Sequence, residues 1–347
     1  MRRIVEPLCH WYDSNKRDLP WRKDTIPYHI WISEIMLQQT RVEAVKVYYE
    51  RFMKELPNVE ALANVEEEKL LKLWEGLGYY SRAKNLKKAA IKIMEGHYGN
   101  MPSTYSEMIQ LPGIGAYTAG AIASIAFHEK TPAIDGNVFR VMMRVQNSYR
   151  NISKLSTKKE LFQELTEIMP EHPGIFNQAL MELGATICIP NGEPHCEICP
   201  LKELCESFKK GTMLELPVKE LKKEKEIEKY TVFILLNYNK VAIHKRPSKG
   251  LLASLYEFPN VNQKLNVEAA LKYLKEKGYT VLRILEMESS KHIFTHKIWQ
   301  MTNYIVYIEE AEDKNDWISV TTLLKDYALP SAFKKQLELL KEEVRNR

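Results

Sequence analysis

The 347-residue chain holds enough apolar side chains for two cores, and its length favours about two domains. Its formal net charge of +5 is too small to indicate nucleic-acid binding, so a DNA-binding surface would depend on where the charges lie. The longest apolar run, residues 119–127, is too short to span a bilayer, and the basic N-terminus lacks the apolar segment of a secretory signal. We therefore expect a cytoplasmic protein without membrane association, located at the nucleoid if the source is prokaryotic.

Helical spacing of apolar residues predicts one helix over residues 28–56, ended by Pro57. Glu34 lies on or beside the apolar stripe of this helix. A carboxyl group there loses hydration, which raises its pKa and lets it hold and donate a proton near neutral pH. The periodicity is equally compatible with Glu34 at the edge of the stripe, paired with Arg41 or another base.

Two further stretches carry side chains that suit DNA. Gln38-Gln39-Thr40 follows on the same predicted helix, and long amides can bond base edges, although they are more often surface residues. The turn at residues 76–82 places two tyrosines, Tyr79 among them, and an arginine before a lysine-rich helix. Aromatic rings interleaved with positive charge suit stacked bases and their phosphates, whereas a solvated helix face is the commoner explanation for the lysines taken alone.

The hairpin at residues 111–120 contains Gly113 and Gly115, followed by small residues that predict a tightly packed helix to Ile125. Both glycines permit backbone angles closed to other residues and let a partner approach the main chain. The N–H groups and the dipole at the helix start favour an anion, for which a nucleic-acid phosphate is the natural candidate. An ordinary turn between two helices is the alternative.

Asp135 precedes a second apolar helix that runs to Val145, and it is a suitable N-cap for that helix. Capping alone would explain the residue. It would also hold the carboxylate ionised, because the helix N-terminus stabilises negative charge. A neutral Glu34 and a charged Asp135 would form a pair of carboxyl groups in opposed environments, which is typical of sites that break glycosidic bonds through an oxocarbenium-like state.

Four of the five cysteines fall close together, in a chain that we expect to be cytoplasmic. Disulfides are disfavoured in that compartment, so a metal centre is favoured. The four are Cys188, Cys196, Cys199 and Cys205. One close pair flanked by two single cysteines suits a 4Fe-4S cluster better than zinc, and zinc stays an alternative.

The character of the sequence changes after Pro217. Residues 219–229 alternate Lys and Glu, which indicates a linker or an exposed helix. Strand patterns cover residues 230–238, 241–245 and 280–308, and helical patterns cover 267–277 and 332–344. We therefore predict a mainly α first domain over residues 1–215, a linker over 216–229 and an α+β domain over 230–347.

Three features occur in order along the chain: the stretch at residues 33–40, the hairpin with the Asp135 segment, and the four cysteines. Together they resemble the helix-hairpin-helix DNA glycosylases with an iron-sulfur cluster, the superfamily of endonuclease III and the MutY-type adenine glycosylases. The resemblance implies a six-helix barrel with an iron-sulfur domain, and a 4Fe-4S cluster on the four cysteines. One departure is the gap between Cys188 and Cys196, which has seven residues where the family usually has six.

Tyr117 separates this chain from the lyase members of the superfamily, which carry a lysine at that position to form a Schiff base with the sugar. The resemblance therefore implies a monofunctional glycosylase that acts, as a monomer, on duplex DNA with adenine opposite 8-oxoguanine or guanine. Glu34 would protonate adenine N7, and Asp135 would stabilise the cationic sugar. The remaining implied roles are positioning by Tyr117 and Asn137, duplex filling or wedging by Gln39 and Tyr79, and phosphate binding at Gly113 and Gly115.

Residues 246–259 are similar to the Nudix-like C-terminal domain of MutY-type enzymes. The acidic magnesium-binding helix of Nudix hydrolases is missing from residues 267–277, so recognition is favoured over hydrolysis. Phe294-Thr295-His296 matches the Phe-Ser-His motif that meets 8-oxoguanine in the family, with Thr295 where Ser is usual.

Two other functions stay open. One is a glycosylase-lyase for oxidised pyrimidines, which Tyr117 and the second domain disfavour. The other is a non-catalytic iron-sulfur protein that binds DNA or senses redox state, in which Glu34 and Asp135 would be merely structural.

Overall fold

The computed structural model describes residues 1–220, 224–311 and 315–345. Contacts between Cα atoms divide the chain into two compact units, Met1–Val65 with Lys84–Leu221 and Glu66–Ala83 with Lys222–Arg347. The domain bounds predicted from the sequence stay a prediction, and residues 221–223 of the predicted linker lie outside the described residues. No described helix is both long and apolar enough to cross a bilayer.

The helices are, in chain order, α1 Val5–Asn15, α2 Pro27–Leu37, α3 Val42–Glu55, α4 Val59–Asn64, α5 Glu67–Leu73, α6 Ser81–His97, α7 Tyr105–Met108, α8 Ala116–Ala126, α9 Gly136–Val145, α10 Leu155–Ile168, α11 Pro173–Thr186, α12 Glu206–Lys210, α13 Val267–Glu276, α14 Val320–Asp326 and α15 Lys334–Arg345. The first unit is helical, as predicted. Its core packs α11 against α1, α8 and α9, and α2 against α8.

The small residues of α8 let neighbouring chain segments approach the helix closely. A Cβ atom at Gly120 would lie 2.2 Å from the carbonyl oxygen of Pro132, so only glycine fits there. The amide of Asn177 on α11 bonds the same segment, accepting from Ala133 N at 3.0 Å and donating to Thr131 O at 2.9 Å. These contacts hold the chain that leads to Asp135 against the helix that carries Tyr117.

The single helix predicted over residues 28–56 is wrong, because α2 ends at Leu37 and α3 begins at Val42. Gln39 adopts a left-handed conformation with φ of 59° between them. The break carries no glycine or proline, and apolar residues continue at helical spacing across it. Consequently Gln38 and Gln39 lie in a turn, and Glu34 lies in the last turn of α2.

The second unit contains α5, the helices α13 to α15 and one mixed sheet, in agreement with the predicted α+β class. Its strands are β1 Glu226–Asn237, β2 Lys240–Lys245, β3 Tyr256–Glu257, β4 Asn260–Val261, β5 Tyr279–Ile293, β6 Lys297–Ala311 and β7 Asp316–Ser319. The order is β3-β2-β1-β6-β5, with β4 beside β1 and β7 beside β2. Strand β1 is parallel to β6, and its alternate residues enter two separate apolar clusters, one on each face of the sheet.

Strand β1 begins at Glu226, so residues 226–229 belong to the sheet and not to the predicted linker. These residues pair in parallel register with residues 297–300 of β6, and Lys297 forms an ion pair with Glu228. The last four residues of the charged alternation, 226–229, therefore form the largely exposed beginning of a strand.

Candidate active site

Glu34 is buried in α2, with 7% of its surface exposed. Burial raises the pKa of its carboxyl group to about 7, while a hydrogen bond donated by the Tyr117 hydroxyl to Oε2 lowers it and the charge of Asp135 raises it. The partner of Glu34 is therefore Tyr117 and not Arg41. A carboxyl group with this pKa is partly protonated at neutral pH and can act as an acid.

Tyr117 lies in the first turn of α8, which packs against α2. Burial raises the pKa of its phenol well above the usual value, and the charge of Glu34 raises it further. The hydroxyl therefore keeps its proton and acts as a donor to Glu34. Its oxygen also lies 3.2 Å from the sulfur of Met181.

Asp135 is the N-cap of α9, as predicted, and its Oδ1 accepts a 2.8 Å hydrogen bond from Val138 N. Its Oδ2 accepts a 2.7 Å bond from Asn137 Nδ2. Both bonds favour the ionised carboxylate, as expected for the cap. Burial raises the pKa of Asp135, and the bonds from Val138 and Asn137 oppose that effect without cancelling it.

Arg140 and Gly184 hold Asn137 in place, and neither was singled out from the sequence. Arg140 Nη2 donates to Asn137 Oδ1 at 2.8 Å, and its Nε donates to the carbonyl oxygen of Cys188 at 2.7 Å. A Cβ atom at Gly184 would lie 2.6 Å from the Cβ of Asn137, so the glycine admits this side chain. The only sequence signal was a basic residue within the apolar helix α9.

One cleft of about 840 Å³ brings the predicted polar residues of the first unit together. Glu34, Gln39, Tyr117, Asp135 and Asn137 all line it. Its volume lies within the range of pockets that enclose a small organic molecule. The sequence predicted these residues separately, and the structure places them around one space.

The cleft wall also contains a buried group of ion pairs that the sequence did not predict. Glu182 is 1% exposed and accepts hydrogen bonds from Arg17 Nε at 2.6 Å and Arg22 Nη2 at 2.7 Å. Burial favours the protonated form, but the two arginines outweigh it and lower the pKa of Glu182 to about 2. The wall therefore carries an ionised carboxylate between two guanidinium groups. No local pattern could reveal it, because Glu182 lies 165 and 160 positions from the two arginines in the chain.

The two hairpin glycines serve different purposes. Gly113 has φ of 77°, in the left-handed region, and a Cβ atom there would lie 2.7 Å from the Cβ of Asn85. Gly115 has φ of −94° and ψ of 177°, which any residue adopts, so the prediction of a restricted backbone is wrong at this position. Nothing lies within 4 Å of its missing Cβ, and it caps the N-terminus of α8. A ligand can approach the main chain there.

The four clustered cysteines are free thiols and line one small, largely apolar pocket. Burial raises the pKa of Cys199 to about 12, and negative charge on the other three cysteines contributes to the rise. Arg144 Nη1 lies 3.3 Å from the sulfur of Cys188. Among residues 1–220, 224–311 and 315–345, no three His, Cys, Asp or Glu side chains are placed to hold a metal ion.

In the second unit, the Tyr79 hydroxyl lies within 3.0 Å of Thr295 Oγ1. Tyr79 has φ of 47° and is 47% exposed. Thr295 and His296 are exposed, whereas Phe294 packs edge-on against Trp299 with ring centroids 4.8 Å apart. The structure therefore brings Tyr79 and Thr295 together, which the sequence did not indicate.

Comparisons with known proteins agree with both units. A family model described as HhH-GPD superfamily base excision DNA repair protein matches residues 32–171, and a NUDIX domain model matches residues 231–339. The chain is 36% identical over 346 residues to an adenine DNA glycosylase of Buchnera aphidicola subsp. Acyrthosiphon pisum, which covers 97% of each chain. It is 34% identical to an adenine DNA glycosylase of Arabidopsis thaliana over 96% of this chain, and it spans 64% of that relative's length. A solved thermostable thymine-DNA glycosylase superposes with a TM-score of 0.54 at 30% identity, over 60% of this chain and 97% of the other.

The helical first unit, its glycine hairpin and the first family model define a helix-hairpin-helix protein of base excision DNA repair, joined to a Nudix-type domain. This confirms the fold class and the resemblance drawn from the sequence. The length and identity of the match to the Buchnera relative narrow the class further. The chain belongs to the adenine DNA glycosylase family, and it is an enzyme.

Proposed function

We propose that this enzyme, as a monomer, hydrolyses the N-glycosidic bond of adenine mispaired with 8-oxoguanine or guanine in duplex DNA, and leaves the backbone intact. The observation that carries the proposal is a buried carboxyl group with a pKa of about 7, Glu34, which shares a cleft with a second carboxyl group, Asp135. The relatives named adenine DNA glycosylase support the choice of base.

Glu34 is the proposed general acid. Adenine must leave the stack before its glycosidic bond can be reached, and the cleft offers the space. Because Tyr117 donates to Oε2, a protonated Glu34 can carry its own proton on Oε1 and donate it to adenine N7. Protonation makes the departing base neutral. The Tyr117 hydroxyl then stabilises the carboxylate that remains, without having to move.

Asp135 is the proposed partner of the cationic sugar. The amide of Val138 and the side chain of Asn137 each donate to one of its oxygens, which favours the ionised form. Burial opposes ionisation, and a developing positive charge at the sugar carbon favours the ionised form. Asp135 stabilises that cation directly or through a transient covalent bond, and water then adds to the sugar carbon.

Tyr117 supports a glycosylase without lyase activity. Tyr117 carries a phenol, which burial keeps protonated by raising its pKa, and not an amine. No nucleophile is therefore available at this position to form a Schiff base. Gly113 and Gly115, with the amides at the start of α8, are the proposed phosphate site. Gln39 and Tyr79 are proposed to fill or wedge the duplex beside the mispair.

We propose that the second unit reads 8-oxoguanine through Phe294, Thr295 and His296. Thr295 and His296 are exposed and therefore available to a ligand. Helix α13, with the sequence VEAALKYLKE, lacks the clustered acidic residues that hold magnesium in Nudix hydrolases. Recognition rather than hydrolysis is the function that these residues support.

Cys188, Cys196, Cys199 and Cys205 are proposed to hold a 4Fe-4S cluster. The donor set fits this group, since four free thiols line one pocket and the guanidinium of Arg144 lies beside Cys188. One close cysteine pair flanked by two single cysteines suits such a cluster better than zinc. When bound, the cluster would supply a cross-link for the loops between residues 188 and 205.

A single-turnover assay with three duplexes tests the proposal. We expect adenine release from A:8-oxoguanine and A:G duplexes, without strand cleavage, and no release from a thymine glycol duplex. Release of thymine glycol with strand cleavage would favour the glycosylase-lyase function. Tight binding of all duplexes without release of any base would favour a non-catalytic DNA-binding protein.

A further inference from the structure

Residues 66–83 form one compact unit with residues 222–347, although they are distant in sequence. The segment contains α5 and the turn that carries Tyr79. Within this unit the Tyr79 hydroxyl lies 3.0 Å from Thr295 Oγ1. The two side chains that the proposed function assigns to the mispair therefore belong to the same unit.

Two charged side chains hold this segment to the residues that follow α14. Lys72 Nζ donates to the carbonyl oxygen of Tyr327 at 2.9 Å, and Glu75 Oε1 accepts from Leu329 N at 2.9 Å. Lys72 and Glu75 also form an ion pair at 2.7 Å, with side-chain exposures of 26% and 28%. Because both groups are largely shielded from water, these bonds constrain the segment more than surface pairs would.

The anchored segment is tied directly to the Tyr79 turn. Trp74 Nε1 donates to the carbonyl oxygen of Gly78 at 3.0 Å, and Arg82 Nη2 donates to the same oxygen at 3.1 Å. Gly78 and Tyr79 both have left-handed backbone angles, with φ of 68° and 47°. A non-glycine residue keeps such an angle only when its surroundings impose it. Displacement at Glu75 would therefore reach Tyr79 through a short, hydrogen-bonded stretch of chain.

We propose that Glu75 and Lys72 are positioning residues that fix the Tyr79 turn through residues 327–329, and so set the preference for 8-oxoguanine over guanine opposite adenine. The inference rests on the proposed function, which assigns Tyr79 to the duplex. Glu34 and Asp135 belong to the other unit. Loosening the anchor therefore changes substrate affinity and preference, and leaves the rate of adenine release at saturating protein unchanged.

The test compares Glu75→Ala with Glu75→Gln and with Glu60→Ala, a control at an exposed glutamate on α4. Loss of a hydrogen bond to a charged group predicts that Glu75→Ala weakens affinity for the A:8-oxoguanine duplex, relative to A:G, by about tenfold. Glu75→Gln keeps an acceptor for Leu329 N and should retain most of the preference. Glu60→Ala should match the native protein. If Glu75→Ala does not fold, the same comparison is made with Lys72→Met, which removes the hydrogen bond to Tyr327.

A double-mutant cycle with Tyr79→Phe separates positioning from general destabilisation. The two losses should be non-additive if Glu75 acts through Tyr79, and additive losses overturn the proposal. Hydrogen exchange of residues 76–80, measured without DNA, should be faster in Glu75→Ala than in the control. Unchanged exchange together with unchanged preference in Glu75→Ala and Lys72→Met also overturns it. If the native protein frees no adenine, the proposed function fails, while the exchange result still decides whether Glu75 holds the turn.

Discussion

The hydroxyl of Tyr117 donates a hydrogen bond to the carboxyl group of Glu34, across 83 positions in the chain. Burial alone would push the pKa of Glu34 upwards, and this bond opposes it, so that the pKa settles at about 7. An acid with a much higher pKa would hold its proton too tightly, and one with a lower pKa would lack a proton at neutral pH. The acidity of Glu34 is therefore a balance between its burial and one neighbour.

Glu34→Gln should abolish most of the adenine release. An amide has no acidic proton, so adenine would have to depart without protonation, and a loss of about a hundredfold or more is expected in single-turnover rate. Binding of the duplex should persist, because the amide keeps the shape of the side chain. Glu43→Gln, at an exposed residue of α3, is the matched control. A near-native rate for Glu34→Gln would show that Glu34 is not the acid.

The same variant should be more stable than the native protein at alkaline pH. The pKa of Glu34 is about 7 in the folded state against 4.5 in the unfolded chain, so native stability falls as pH rises between these values and levels off above 7. Glutamine carries no such penalty. The free energy of unfolding of Glu34→Gln minus that of the native protein should therefore be up to about 3 kcal/mol larger at pH 8 than at pH 4.5. Urea unfolding at both pH values measures this, and an equal difference at the two would contradict the raised pKa.

Tyr117→Phe should move the alkaline limb of the pH–rate profile to higher pH. The hydroxyl lowers the pKa of Glu34, so its removal raises that pKa and extends the range in which Glu34 is protonated. The maximal rate should fall, because the carboxylate left after proton transfer loses its donor. Tyr149→Phe, at an exposed tyrosine, is the control. A profile that stays in place would mean that the bond does not act on the catalytic proton.

Asp135→Asn should separate catalysis from helix capping. Asparagine caps a helix as well as aspartate does, and its Oδ1 can still accept from Val138 N, so the fold of α9 is kept. The negative charge is lost, and adenine release should fall about a thousandfold while duplex affinity changes little. Single-turnover rates and equilibrium binding measure the two effects. An unchanged rate would leave Asp135 with a structural role alone.

Features that depend on a few neighbouring residues were predicted correctly from the sequence. Asp135 was identified as the cap of α9, and the small residues after Gly115 as the helix α8, because capping and close packing leave local patterns. The predicted strand segments cover most of β1, β2, β5 and β6, whereas the short strands β3, β4 and β7 were not predicted. The break at Gln39 left no such trace, since no glycine or proline accompanies its left-handed conformation.

Properties set by the surroundings of a side chain could not be predicted in this way. The pKa of Asp135 rises because the folded chain buries it, an effect that the local capping pattern does not reveal. The ion pairs of Glu182 join residues that are distant in sequence, and no periodic pattern marks them. Likewise, residues 66–83 belong with the second unit only because of contacts formed in the fold.

Substitutions at Thr295 should distinguish its hydroxyl from its methyl group in lesion reading. Thr295→Val keeps the branched shape and removes the hydroxyl that lies 3.0 Å from Tyr79, so the preference for 8-oxoguanine over guanine opposite adenine should fall about tenfold. Thr295→Ser keeps the hydroxyl and should retain the preference. Competition between A:8-oxoguanine and A:G duplexes measures both. Equal preference in the two variants would mean that the hydroxyl, and its contact with Tyr79, takes no part in recognition.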